Sequence, residues 1–421
     1  MKPMPAAKAH SSAQLRWAVA VLSMALIVVS NLPLSSAQDE RRINVLLMGG
    51  IGTTHYLHDY FRDEPLIRYT PIPCRGVPGG DAAAKKMIRL YFPRTYEEMQ
   101  SYDFIWLRSP EYYYFTTQQD KMMYDAVTDG AGGINDASVL SMIAQLNLAW
   151  ATSLLQTAFP NEAPVVAEKG GGVSPVGLFM VVINRDFEDP VLTPFIPFGV
   201  EKVSCDCGRF VIARETAKTM AWQVGNFPAY AKVPYLIVWD YQEGRTMTTG
   251  DCGGSQGWIR PPKTSSDNLY APDIVVNLIL YGTKSGLIED VEVYHRIKTI
   301  FTQFRTRMAV LISLKEFVDK FGANTEKAHI MIRDLEEMGQ EGLDHYMDQE
   351  FVRCEESMNE AFDYCNEVEA AIKKLKDEAL LWVYVIEWAV TTSVLILSSF
   401  VLWTLMVRRR LYRAVKTTRM E

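Results

Sequence analysis

Apolar and polar positions follow three rhythms along this chain. Between residues 42 and 282, short apolar runs are separated by glycine, proline and charged turns. From Asp290 onward, apolar residues recur every three or four positions. From Trp388 to Val407 charge disappears, and Arg408, Arg409 and Arg410 follow at once. Each rhythm predicts a different architecture, because strand side chains alternate every two residues and helical ones every 3.6.

In the first region, INVLLMG (43–49) reads as a buried strand that ends in the turn glycines Gly49, Gly50 and Gly52. Thr53 or Thr54 can cap a helix through Phe61. A second strand is predicted near Ile67–Ile72, a helix over 82–91, and a strand over Phe104–Leu107. Another helix opens at Thr116 or Thr117 and ends in the glycines at Gly130, Gly132 and Gly133. Strands and helices alternating at this spacing predict an α/β fold, a mostly parallel sheet with flanking helices. Further strands are expected at Leu178–Ile183, Arg209–Ala213, Tyr235–Tyr241 and Thr246–Thr249. Gln242-Glu243-Gly244 turns between the last two, and a helix over Pro272–Tyr281 completes one large domain, residues 42–282.

The second region, 285–379, predicts a helical stalk or hairpin. One apolar stripe runs from Val293 to Phe321 and is stopped by Gly322. A short helix from Asn324 or Thr325 follows. A second stripe, Leu343 to Ala379, is expected as one long helix that either folds back, packs on the sheet, or pairs with a second copy in a homodimeric coiled coil. Cys354 and Cys365 both lie on this stripe, as buried thiols of a hairpin or as matched thiols across a dimer.

The third region, 388–407, has the length of a transmembrane helix, about 20 residues. The basic tail 408–421 marks its cytoplasmic side. Residues 1–37 carry Lys2, Lys8 and Arg16, an apolar run from Trp17, and the small residues Ser35, Ser36 and Ala37. That is signal-peptide anatomy, with a retained anchor as the alternative. The expected protein is therefore a single-pass type I chain of the cell membrane, with its bulk extracytoplasmic.

Charge narrows the partners. Setting aside nine basic and two acidic residues at the two ends, the totals of 43 and 50 leave 34 basic and 48 acidic residues outside. A net charge of −14 excludes nucleic acid as a partner, and a membrane protein or cell-surface partner is expected. Six cysteines in an exported chain permit disulfides. Cys205, Cys207 and Cys252 lie together in the strand-rich half and are the disulfide candidates. Cys252 as a nucleophile would need His55 or His58 as its base. His55 and His58, one helical turn apart, are candidate metal ligands or two surface histidines. No zinc spacing and no dinucleotide fingerprint is present, so no cofactor is expected.

INVLLMGGIG, RTYEEMQSYDFIWLRSP, TTQQDKMMYDAVTDGAGG and PYLIVWDYQEGRTMTTGD together resemble class I glutamine amidotransferase-like domains, in particular their membrane-linked group. The resemblance covers about residues 42–282 and implies a flavodoxin-like α/β fold. It also implies a cysteine nucleophile on a sharp turn beyond the glycines, with a histidine to activate it. Here no cysteine occurs from Arg75 to Ser204, and no histidine between His58 and His295. The domain is therefore expected to be catalytically degenerate, a binding or assembly module. A metal-assisted hydrolase using His55, His58 and Asp251 is the alternative. Open α/β sheets bind ligands at the carboxyl ends of their strands, which makes Gly50, Gly52, Thr53, Thr54, Arg108, Ser109 and Asp251 the ligand-binding candidates.

The topology is directly testable. Protease added to intact cells should remove the domain and spare the tail; a tail reached by an impermeant label would overturn it.

Overall fold

A computed structural model describes residues 42–52, 55–136, 149–162, 176–186, 190–207, 211–225, 232–250 and 268–417. Residues 1–37, where a signal peptide is expected, and Thr53, Thr54, Asp251 and Cys252 lie outside them.

One nine-stranded sheet organises the domain. Its strands are β1 (Ile43–Gly49), β2 (Ile67–Pro73), β3 (Phe104–Arg108), β4 (Gly132–Asp136), β5 (Val176–Ile183), β6 (Lys202–Cys207), β7 (Lys218–Val224), β8 (Lys232–Tyr241) and β9 (Gly244–Thr249). They stand in the order β2-β1-β3-β4-β9-β8-β7-β5-β6. The half from β2 to β9 is parallel, and the half from β9 to β6 is antiparallel. Helices α1 (Tyr56–Asp63), α2 (Gly80–Tyr91), α3 (Tyr96–Gln100), α4 (Thr117–Thr128) and α5 (Ala271–Gly282) flank it.

The parallel strands read as unbroken apolar runs because both of their faces are buried. Val45, Leu47, Phe104, Trp106 and Met247 face a core shared with Leu57 and Phe61 of α1 and most of α5. Leu46, Met48, Ile105 and Leu107 face the other core, with Ile88 of α2, Met123 and Val127 of α4, and Trp150. Helix α4 starts as its sequence indicates, with a capping box between Thr116 and Gln119.

Strand β4 overturns the reading of Gly132 and Gly133 as a helix-ending turn. A Cβ at Gly132 would lie 2.6 Å from both the Gly282 carbonyl carbon and the Phe104 ring. Glycine is here for close approach of α5 to the strand, not for a turn. β6 and β7 were also not anticipated. Of the strand expected at Arg209–Ala213, the described part is a single antiparallel bridge from Ala213 to Asn161.

Three helices follow: α6 (Val291–Asp319), α7 (Glu326–Met347) and α8 (Phe351–Thr417). The helix after Gly322 is thus 22 residues long, not short. The helix expected over Leu343–Ala379 is broken at Asp348–Glu350, where Gln349 takes φ 60°. Its stripe is buried inside the chain: Cys354, Met358, Ala361, Cys365, Val368, Ile372 and Ala379 pack with residues of α6 and α7. Among the described residues this stripe is covered by its own chain rather than left open to a second copy. Cys354 and Cys365 are buried thiols, and burial pushes the Cys354 thiol up to about 12. Among the described residues there is no disulfide; the side chains of Cys205 and Cys207 lie outside them. Helix α8 continues past Ala379 as a single rod of 67 residues. Among the described residues it alone is long and apolar enough to cross a membrane.

A buried polar joint ties the bundle to the sheet domain. Glu64, at the end of α1, accepts hydrogen bonds from Tyr294 and Tyr346, both at 2.7 Å. Lys298 of α6 lies 3.1 Å from Glu64 and 3.2 Å from Asp273 of α5. His295 Nδ1 is 2.6 Å from the second oxygen of Asp273. Burial, and then the Glu64 charge, hold the Tyr294 and Tyr346 hydroxyls well above the usual phenol range. Removing one partner of such a buried network leaves uncompensated charge and costs about 3–5 kcal/mol. Lys298→Met should accordingly destabilise the full chain in detergent by about 3 kcal/mol, read from urea unfolding followed by near-ultraviolet circular dichroism. An unchanged midpoint would show that the joint holds nothing.

Candidate functional site

The carboxyl ends of β1, β3 and β4 converge on one polar cluster. Each contributing residue is fixed by backbone geometry. Gly49 takes φ 137°, and a Cβ there would collide with the Arg108 carbonyl oxygen. Only glycine lets β1 turn this close to β3. The Gly50 N–H then donates to that same carbonyl at 2.7 Å, and the Cys74 N–H donates to the Gly49 carbonyl at 3.0 Å. Ser109 leaves β3 in the left-handed region at φ 49°. Non-glycine residues rarely adopt it, and such strain is typical of site residues that the surroundings hold in place.

The centre is Arg108, 3% exposed, paired to Asp136, 1% exposed. An Arg108 Nη1 hydrogen bond reaches Asp136 Oδ2. Ser109 Oγ donates to Asp136 Oδ1 at 2.7 Å, so both carboxylate oxygens are engaged. Arg108 Nη2 donates to the Tyr56 hydroxyl at 3.3 Å. From the far side, Arg75 Nη1 donates to the Ser109 carbonyl at 3.4 Å. The charge of Arg108 is met inside the protein by Asp136. Arg75, held among the described residues only by the Ser109 carbonyl, leaves one guanidinium charge at the edge of the cluster, beside its fixed dipoles and hydroxyls.

His55 borders the cluster as the N-cap of α1. Its Nδ1 accepts from the Leu57 N–H at 3.3 Å, and its ring stacks on Tyr56 at 4.3 Å. Burial lowers its pKa to about 4; Arg108 and His58 reinforce this and Asp136 opposes it. The imidazole is therefore neutral at physiological pH. His58 Nδ1 is bonded to the Tyr69 hydroxyl at 3.2 Å. Both proposed metal ligands thus have one ring nitrogen engaged by the protein. Among the described residues, no three His, Cys, Asp or Glu side chains gather as a metal site. Cys74 lies beneath the β1 turn, fully buried; burial pushes its thiol up to about 12, far from the thiolate a nucleophile needs.

Beside the ion pair lies a second buried polar layer. Thr248 Oγ1 donates to Asn161 Oδ1 at 2.9 Å, and Asn135 Nδ2 donates to the same oxygen at 3.4 Å. Gln156 Nε2 donates to the Asn161 carbonyl at 2.8 Å. These bonds continue the polar edge of the sheet from β4 to β9.

The structure thus brings Gly50, Arg108, Ser109 and His55 together. Gly52 stands open at the rim, its carbonyl accepting from the His55 N–H at 2.9 Å. Thr53, Thr54 and Asp251 lie outside the described residues. Sequence reasoning missed Asp136, Tyr56 and Arg75. The signal for Asp136 was present: GGIND is a strand ending in a carboxylate once the glycines are read as packing residues.

Comparison with protein-family models found no match, and comparison with curated proteins found none. Among solved structures, the chain aligns with the crystal structure of a novel carbohydrate deacetylase at TM-score 0.30 and 11% identity. The alignment covers 50% of this chain and 29% of that one. At that level it carries no functional argument. The class defined by fold and site is an α/β sheet domain with a polar strand-end cluster, joined through a helical bundle to a membrane-length helix.

The depressed His55 sets a pH dependence. Between about 6.5 and 4 the unfolded chain takes up a proton that the folded chain refuses, so stability falls as pH drops through that window. His55→Asn, which keeps a capping acceptor, should reduce the loss of urea resistance between pH 7 and pH 5. An identical loss in both proteins would place the titration elsewhere.

Proposed function

We propose that this chain is a membrane-anchored, extracytoplasmic binding or assembly protein whose amidotransferase-like domain performs no amidotransfer. The observation that carries this reading is Asp136. It ends the strand after the glycines, where the family resemblance would lead to a nucleophile. Its carboxylate is instead consumed in a buried clamp with Arg108 and Ser109. A group so held stabilises the strand end but attacks nothing.

The neutral His55 and the internally paired Arg108 supply polar donors and acceptors suited to a partner group such as a sugar hydroxyl or a peptide amide. The cluster sits where open α/β sheets accept ligands, at the carboxyl ends of parallel strands. In this reading the apolar part of α8 is the anchor, and the basic tail after it supports a cytoplasmic end with the sheet domain on the other side.

The purified full chain in detergent should release no ammonia from glutamine above a buffer control. It should also carry no stoichiometric metal by elemental analysis. A glutaminase rate abolished by Cys252→Ser would show a nucleophile in use. A bound metal lost in His55→Ala would support a hydrolase instead.

A further inference from the structure

The lower end of the helical bundle carries exposed aromatic surface that the proposed function leaves unused. Phe317, in the last turn of α6, and Phe321, two residues beyond it, are 42% and 39% exposed and pack edge to face at 4.8 Å. Their height along the molecule follows from the register of α6 on α8. Arg296 Nη2 donates to Glu355 Oε2 at 2.9 Å, and Arg307 Nη1 to Asn366 Oδ1 at 2.9 Å. Both pairs are 59 residues apart, so the two helices run parallel with a constant offset. Continued to the tip, that offset sets Phe317 level with Lys376 and Phe321 level with Leu380.

Leu380 is where α8 changes character. Among the described side chains, Ala379 is the last buried one of the helix. Beyond it Leu381, Trp382, Tyr384, Val385 and Ile386 are all about half exposed or more. From Leu380 to Val407 the sequence holds one charge, Glu387. At 1.5 Å per residue that stretch is roughly 42 Å long. This matches a bilayer of about 40–45 Å with its headgroup layers included, rather than the hydrocarbon core of about 30 Å alone. Trp382, Tyr384 and Trp388 then fall where aromatic residues collect at a membrane interface. Arg408 marks the opposite edge. The bundle therefore ends where the lipid begins, with no spacer between them.

We propose that the tip of the bundle, Phe317 and Phe321 with the turn between α6 and α7, rests in the headgroup layer of the bilayer that α8 crosses. This rests on the membrane-anchored reading above. Lipid is the occupant because the rod that carries the tip fixes its height. Net charge is not the attraction: between Lys315 and Lys327 the tip holds three lysines against Glu316, Asp319 and Glu326, and Lys315 pairs with Asp319 at 2.8 Å. Seating is thus aromatic, and holds on zwitterionic lipid and in high salt. It would orient the sheet domain by bracing one helix pair against the surface beside the membrane rod.

The test uses the full chain in phosphatidylcholine vesicles carrying a minority of nitroxide lipid. The environment-sensitive dye NBD is placed at Phe321→Cys, Val310→Cys or Val394→Cys, with the dye-treated wild-type chain as the blank. Val310 is exposed and apolar but stands about 16 Å above Phe321 along α6. Headgroup nitroxide should quench most of the Phe321-site signal and leave the Val310 site bright. Acyl-chain nitroxide should quench the Val394 site. A quenched Val394 site with a bright Phe321 site overturns the seating and leaves the anchor standing. No quenching at either site overturns both. Phe321 and Val310 sites that are both shielded from water yet untouched by lipid nitroxide would assign the face to a second protein copy. Phe317→Cys repeats the measurement should Phe321→Cys disturb the fold, as judged by circular dichroism.

Discussion

Burial of the parallel strands on both faces is the constraint on which the rest of this structure depends. A strand such as β1 can be apolar at every position only if helices cover both sides of the sheet. That requirement sets α1 and α5 on one face and α2 and α4 on the other. It also forces Gly132 into β4, because α5 comes too near for any side chain. With both faces closed, polar groups are left the strand ends. The Arg108–Asp136–Ser109 cluster sits at that carboxyl edge, where the strands end and their apolar cover stops.

The same face that buries α1 and α5 receives the bundle. Glu64, Asp273 and Lys298 meet in a nearly dry joint, where each charge has a partner and Glu64 also accepts two tyrosine hydroxyls. Desolvation makes such networks costly to half-build and hence specific about geometry. An apolar patch would allow the bundle to slide or rotate; paired charges and directional hydroxyls fix one angle. Sheet domain, bundle and membrane-length helix are therefore mechanically continuous from the strand-end cluster to the apolar rod.

The cluster itself is built for holding, not for proton traffic. Arg108 is neutralised within the protein, His55 is kept neutral by burial and by its cationic neighbours, and the Cys74 thiol is held protonated. The His55 and Cys74 shifts both favour the uncharged form of the group at neutral pH. Such a site recognises polar shape through fixed donors and acceptors.

Sequence by itself determined the elements whose information is local. The INVLLMG strand, the Thr116 capping box, the Gln242–Glu243 turn, the α6 stripe and the uncharged rod are all written in neighbouring residues. Gly50, Arg108, Ser109 and His55 were legible as site candidates because each stands beside a strand end that the pattern located. Tertiary structure alone decided what depends on distant contacts. Gly132-Gly133 has the local appearance of a turn but is a strand, paired with β3 and β9, with Gly282 and Phe104 pressed against Gly132. Asp136 became a site residue with that strand. The Leu343–Ala379 stripe fits one long helix, but Gln349 breaks it, and the partners of Cys354 and Cys365 are α6 and α7 of the same chain. Periodicity fixes which face of a helix is apolar. It carries no information on what covers that face, because the covering residues lie elsewhere in the sequence.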